Sequence, residues 1–334
     1  MKKIILTILI FLFAIMSVLG CKNEQNPSAG GATKTPITPK MIAEEMSSYA
    51  VEVECGNEAG SGFIIATDEQ SVTIATCYHV VDGSSGKIVR FHGETDFLSP
   101  SAVTFYAYDA FFDVAFLRVA VDNSTGKYKA INKFDAPVIV GEKSFILGNN
   151  DGRGLAFTDG VVSVAEEVTS FDKGLRLTTR LTNRISGGAS GALVCGETMQ
   201  PIAMVQGTND EKGESYALPV SIVKALYDRS LGVGVTKEIA RYEIDYSKVV
   251  KTENNIKSGY STVSVTVEEK EFTFALKKGS LCLERAVEEA SLSAGVKLDA
   301  VNGKQVSSLS DFTTAVILSD DGIEFASGSV KYGA

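Results

Sequence analysis

Short apolar runs broken by turn residues dominate the chain between residues 50 and 220. Runs rich in Val, Ile, Thr, Phe or Tyr recur at 61–66, 72–76, 87–91, 102–106 and 114–119, and again at 144–147, 160–168, 175–181, 191–194 and 202–206. Gly, Asp, Asn and Ser separate them. Such spacing predicts short strands in an antiparallel barrel or sandwich. Helical spacing is confined to 41–49 before these strands and to 220–229 after them, where Gly232 follows as a stop signal. We place a domain boundary there, between 41–229 and 230–334. Beyond it the pattern becomes α+β. Strands are expected at 262–267, 272–276 and 296–301, a tight turn at Asn302-Gly303, and helices at 283–292 and 309–318.

The N-terminus has a different pattern. Lys2 and Lys3 precede an uncharged apolar run from Ile4 to Gly20, the order of an export signal. Val18-Leu19-Gly20-Cys21 resembles the lipobox of bacterial lipoproteins. That resemblance implies a signal peptide over 1–20, cleavage before Cys21 and a lipid on its sulfur. An uncleaved membrane anchor is the other reading of the same run. In both, the rest of the chain is exported and held at a membrane, facing the periplasm or the outer surface of a bacterial envelope. Residues 21–40 hold few bulky apolar side chains and are expected to be a flexible tether.

Composition narrows the chemistry. The chain has 334 residues and a net charge of −9, from 32 basic and 41 acidic side chains. It lacks the basic footprint of a nucleic-acid binder. No Cys-x-x-Cys or His-Glu-x-x-His occurs, so neither a metal nor any other cofactor is expected. Gly86-Lys87-Ile88 lacks the hydroxyl residue of a phosphate loop. Cys55, Cys77, Cys195 and Cys282 allow three full pairings, and buried free thiols are the plainer expectation. With two histidines, any imidazole chemistry must use His79 or His92.

Three motifs supply one chemistry. Thr76-Cys77-Tyr78-His79-Val80-Val81 offers a base. Asp109 to Val119 offers carboxylates, and Ser186-Gly187-Gly188-Ala189-Ser190-Gly191 offers a hydroxyl in a glycine-rich loop. A serine hydroxyl needs an adjacent imidazole to take its proton, and the imidazole needs a carboxylate to fix its tautomer. The oxyanion of acyl transfer needs fixed backbone donors. These requirements assign His79 as base, Asp113 as orienter and Ser190 as nucleophile, with the N–H groups of Gly188 and Ser190 as the oxyanion hole. Asp109 competes with Asp113, but the Val114-Ala115-Phe116-Leu117 run favours Asp113. His92 has no comparable context.

The ordered motifs resemble the trypsin-like serine proteases, and most closely the HtrA/DegP family. Gly60-Ser61-Gly62-Phe63-Ile64-Ile65, Thr158-Asp159-Gly160-Val161-Val162-Ser163, Ala203-Met204-Val205-Gln206-Gly207 and Tyr216-Ala217-Leu218-Pro219 extend the likeness from Gly60 to Leu226. It implies a mainly β fold, two six-stranded antiparallel barrels with the site between them. Arg184, Gln206 and Gly207 would contact substrate, Arg184 at the base of a pocket. Ala192 stands where the family carries a second glycine. Ala189 stands where digestive enzymes carry the aspartate that binds a freed N-terminus, so activation by cleavage is not expected.

Residues 230–334 resemble the PDZ domains attached to those proteases. Leu231-Gly232-Val233 would be the loop that binds a peptide carboxylate, and Ala300 to Val316 the strand-turn-strand-helix. The expected function is a membrane-tethered serine endopeptidase acting on unfolded or regulatory envelope proteins. A homotrimer is compatible with the resemblance. The alternative is a catalytically silent protease fold serving as a peptide-binding scaffold.

Overall fold

A computed structural model describes residues 36–171, 174–241, 243–246, 261–267, 270–277, 280–283, 297–298, 300–320, 322–325 and 328–331. Cys21, the signal segment and most of the tether lie outside them. The chain divides into Met1–Pro36 and Ile37–Ala334, and every described residue except Pro36 belongs to the second unit.

Helix α1 (Pro39–Ser47) starts where Thr38 Oγ1 accepts the Met41 N–H at 3.3 Å and Pro39 presets the first turn. Ile42 and Met46, one turn apart, are its buried face. Six antiparallel strands follow: β1 (Ala50–Cys55), β2 (Glu58–Thr67), β3 (Ser71–Cys77), β4 (Lys87–Phe91), β5 (Val103–Asp109) and β6 (Val114–Ala120). A one-turn helix, α2 (Tyr78–Val81), continues directly from β3. The second set is β7 (Lys143–Asn149), β8 (Leu155–Phe171), β9 (Gly174–Leu181), β10 (Leu193–Gly196), β11 (Pro201–Asn209) and β12 (Glu214–Pro219). It closes as a barrel in the order β10-β11-β12-β9-β8-β7.

The first set does not close by hydrogen bonds. Its order is β5-β6-β3-β2-β1-β4, and a two-residue strand, β13 (Lys237–Glu238), joins β5 in parallel. β1 was not expected from the pattern. Its Glu52 is buried because Arg90 on β4 donates to both carboxylate oxygens, at 3.0 and 2.8 Å. The run expected at 191–194 begins two residues later, because Gly191 is still in a turn at φ +90°.

Helix α3 (Val220–Ser230) buries Ile222, Val223 and Leu226. The segment after it returns to the first sheet, contrary to the boundary expected at 229/230. Ile239 N–H donates to Tyr108 O at 2.8 Å, Ile239, Ile244 and Tyr246 are buried, and Tyr246 stacks on Phe111 at 5.9 Å.

The remainder forms two sheets. One has the order β14 (Glu243–Asp245), β15 (Ser261–Val267), β16 (Lys270–Lys277), β17 (Ser280–Leu283), β18 (Lys297–Leu298). In the other, β20 (Lys304–Gln305), β19 (Ala300–Val301), β21 (Gly322–Phe325) and β22 (Gly328–Lys331) are neighbours in that order. Leu283 ends a strand where a helix was expected to begin; the rest of 283–292 lies outside the described residues. Helix α4 (Leu309–Ile317), capped by Ser308, lies beside these strands as expected. Tyr246 and Thr313 share a hydroxyl hydrogen bond of 2.8 Å, and Phe312 and Val316 belong to the same apolar core as α1, β2, β3 and α3.

Candidate active site

The site begins with a change of direction. β3 is buried along its whole length and ends at Cys77, where the chain turns into α2 and lifts His79 to a half-buried position. Asp113 sits in the turn between β5 and β6 with a left-handed φ of 55°, a conformation that Asp tolerates better than most residues. Asp109 frames that turn by accepting the Phe112 N–H at 2.8 Å. It serves the turn, and Asp113 faces the histidine.

His79 Nδ1 lies 2.7 Å from Asp113 Oδ2, and the His79 backbone N–H donates to Asp113 Oδ1 at 2.8 Å. Burial alone would push the Asp113 carboxyl up. The hydrogen bond and charge of His79 and the Arg176 cation outweigh it, and the group lies below its ordinary range. An ionised carboxylate only accepts, so Nδ1 carries the ring proton and Nε2 is left to accept one.

Two further members come from distant strands. Arg176 on β9 is buried and donates through Nη1 to Asp113 Oδ2 and to Gln206 Oε1, both at 3.0 Å. Its guanidinium lies 4.9 Å from the Phe171 ring centre. Gln206 Nε2 donates to Phe112 O at 3.0 Å. A bulge between Val205 and Gly207 turns Gln206 inward, so its side chain supports the site from behind and cannot be the substrate contact expected of it. Gly207 pairs with Tyr216 and remains partly exposed.

The Ser190 loop is clamped onto the same corner. Ser61 N–H donates to Ser190 O at 2.8 Å, and Gly191 N–H donates to Val205 O at 2.9 Å. The Cys77 thiol reaches that same Val205 carbonyl at 3.1 Å, so the loop lies against the strand end that carries His79. Ser61 Oγ donates to Gly188 O at 2.8 Å, and Asp151 N–H donates to Gly187 O at 2.7 Å. A Cβ on Gly191 would meet Ser61 O at 2.1 Å, so no other residue fits there without displacing β2. Among the described residues, neither Gly188 N–H nor Ser190 N–H donates to a protein acceptor, and Ser190 makes no hydrogen bond to His79.

Donor atoms of Cys77, His79 and Asp113 lie within 4.8 Å of one another. Burial and the Asp113 charge push the Cys77 thiol well up, so it stays protonated and donates to a carbonyl. That makes it a poor metal ligand and a poor nucleophile. Cys55, Cys77 and Cys195 are free and buried, as expected; Cys282's side chain is outside the described residues.

Other expected contacts fall elsewhere. Arg184 is exposed at the rim of a cavity of about 310 Å³, between residues 183–185 and the turn joining β11 to β12, where Asp210 and Glu211 also line it. It is not enclosed at a pocket base. Leu231-Gly232-Val233 is a helix-terminal turn: Leu231 N–H donates to Asp228 O and Val233 N–H to Ser230 O. Those amides are spent, so the segment lacks the free donors a peptide carboxylate needs. His92 is exposed at the end of β4.

Comparison with known proteins agrees with this architecture. Residues 60–204 match the family described as "Trypsin-like peptidase domain". The chain is 28% identical over 212 residues to "Protease Do-like 1, chloroplastic" from Arabidopsis thaliana, covering 59% of this chain and 45% of that protein. The match thus spans less than half of the relative's length. A crystal structure of Rv3671c from M. tuberculosis H37Rv, the inactive form of a serine-to-alanine mutant, has a TM-score of 0.50 and 18% identity. That alignment covers 60% of this chain and 96% of the other. The β-rich body carrying His79, Asp113 and Ser190 is a trypsin-like peptidase domain within a mainly β fold.

Proposed function

We propose that the protein is a serine endopeptidase that cleaves polypeptides through an acyl-enzyme, and that lipid on Cys21 holds it at a bacterial membrane. The observation that carries the reading is the 2.7 Å contact of His79 Nδ1 with an ionised, buried Asp113, beside the glycine loop of Ser190. Asp113 fixes the tautomer, so His79 Nε2 is the free base. It takes the Ser190 Oγ proton as the oxygen attacks a peptide carbonyl, and the proton then goes to the departing amine. The N–H groups of Gly188 and Ser190 have no protein acceptor among the described residues and are assigned to the oxyanion. Water then hydrolyses the ester by the same route. An extended substrate would pair with β11 from Gly207 outward, beyond the stretch that β10 covers.

A fluorophosphonate probe tests this on the full chain in detergent. The parent is expected to label at Ser190, and Ser190→Ala to remain unlabelled. An unlabelled parent in the presence of unfolded polypeptide would refute the reading and favour a binding scaffold. Intact mass of the membrane-extracted protein tests the anchor: a lipid adduct on a chain starting at Cys21 is expected.

A further inference from the structure

The buried Arg176 takes no part in the triad chemistry, yet it touches the carboxylate on which that chemistry turns. We propose that Arg176 is a positioning residue of the site, sharing Asp113 Oδ2 with His79 and setting how strongly the carboxylate favours a protonated His79. The proposal rests on the protease reading and adds a component to it.

The hydrogen bonds of Asp113 support it. Oδ1 takes the His79 backbone N–H at 2.8 Å, and Oδ2 takes His79 Nδ1 at 2.7 Å and Arg176 Nη1 at 3.0 Å. The carboxylate is thus held from two sides and cannot rotate without losing one of them. Arg176 is itself braced by Gln206, whose other end is tied to the Asp113 turn at Phe112 O, and by the face of Phe171. Its Nε is buried without a partner. A guanidinium buried with an unused donor is costly, which argues that it is kept for more than stability.

Charge gives the arrangement its consequence. With neutral His79, Arg176 and Asp113 cancel. When His79 takes a proton, two cations share one carboxylate at less than about 6 Å from each other, so Arg176 opposes the protonated state. Other groups facing the pair leave that balance intact. Cys77 from β3 is a neutral thiol, Gln206 from β11 is an amide, Ser190 is a hydroxyl, and Asp109 on β5 is ion-paired with Arg241 at 2.5 Å. Arg176 therefore keeps His79 available as a base at lower pH than an aspartate–histidine pair alone would allow.

The test uses the full chain in detergent and reads two quantities against pH: the fluorophosphonate labelling rate at Ser190, and the His79 ring signal in an NMR titration, with His92 as internal reference. Arg176→Gln and Arg176→Met remove the charge. Both midpoints are expected to rise by about one to two pH units, the size expected for like charges near 6 Å in an effective dielectric of about 20. Arg176→Lys is expected to restore the midpoint while labelling more slowly, because the charge returns without its geometry. Folded charge-removing variants with the parental midpoint would overturn the proposal. So would failure of both to fold beside a folded Arg176→Lys, which would assign Arg176 to the core. A parent that never labels refutes the protease reading itself, a separate outcome, since the His79 titration needs no labelling.

Discussion

Gly188→Ala, set beside Gly187→Ala, tests whether the serine loop is a built frame. The two glycines are adjacent, yet their surroundings differ. An alanine Cβ at 188 would sit 2.1 Å from the Asn149 carbonyl oxygen, at a backbone φ of +96°. At 187 nothing lies within 4 Å and φ is outside the left-handed region. The strained φ alone costs about 1–2 kcal/mol. The clash is with backbone and cannot be relieved by a side-chain rotation, so the loop must move by about 1 Å or more. Moving it gives up Ser61 Oγ to Gly188 O, Asp151 N to Gly187 O and Ser186 N to Asn150 Oδ1. Three such bonds are worth about 1 kcal/mol each. The expected cost is about 2–4 kcal/mol, a fall in Tm of about 5–10 °C. Displacing the 188 amide removes an oxyanion donor, so fluorophosphonate labelling should slow by about 100-fold or more. Gly187→Ala should keep parental labelling and a Tm within about 2 °C. Parental behaviour of Gly188→Ala in both assays would refute the frame.

Two further outcomes concern buried carboxylates. Glu166 on β8 accepts Leu309 N–H and Ser310 N–H, each at 2.9 Å, together with the Ser310 hydroxyl. Glu166→Ala strands these donors and should cost about 1–3 kcal/mol, with faster amide exchange at the start of α4 by mass spectrometry; unchanged exchange there would show the contact to be idle. Asp113 has a lowered folded value, so its stabilisation is present above the ordinary carboxylate range and is lost as pH falls through that folded value. The Tm advantage of the parent over Asp113→Asn should shrink across that acid window; an advantage independent of pH would count against the assigned ionisation.

The triad is legible in the sequence because each member sits in a local motif whose chemistry is explicit. Its support is not. Arg176 lies in Leu175-Arg176-Leu177-Thr178-Thr179-Arg180, which alternates like any half-exposed strand, and only barrel closure shows that its face points inward. Gln206 reads as a substrate contact because its inward turn depends on a bulge that no residue type announces. Glu52 shows the same limit in the fold: a glutamate in an alternating run reads as surface until Arg90 is brought beside it from 38 residues away. Lys87–Phe91 is legible with its observed bounds because its five residues lie between Gly86 and Gly93, where the turns are local.

The return of the chain to the first sheet bears on where this protein can be cut. Along the outer side of β5, Thr236 N–H donates to Tyr106 O at 2.8 Å, Ile239 N–H donates to Tyr108 O at 2.8 Å, and Arg241 grips Asp109 below Phe111 and Phe112. Cleavage between Arg229 and Lys237 would therefore not release a self-sufficient enzyme from an appendage. It would free the flank of a seven-residue strand bearing Phe105, Tyr106 and Tyr108, an open template for another chain to pair with. Residues 237–246 act as a built-in edge guard, and the smallest chain that keeps both the Asp113 turn and a protected sheet ends no earlier than Tyr246.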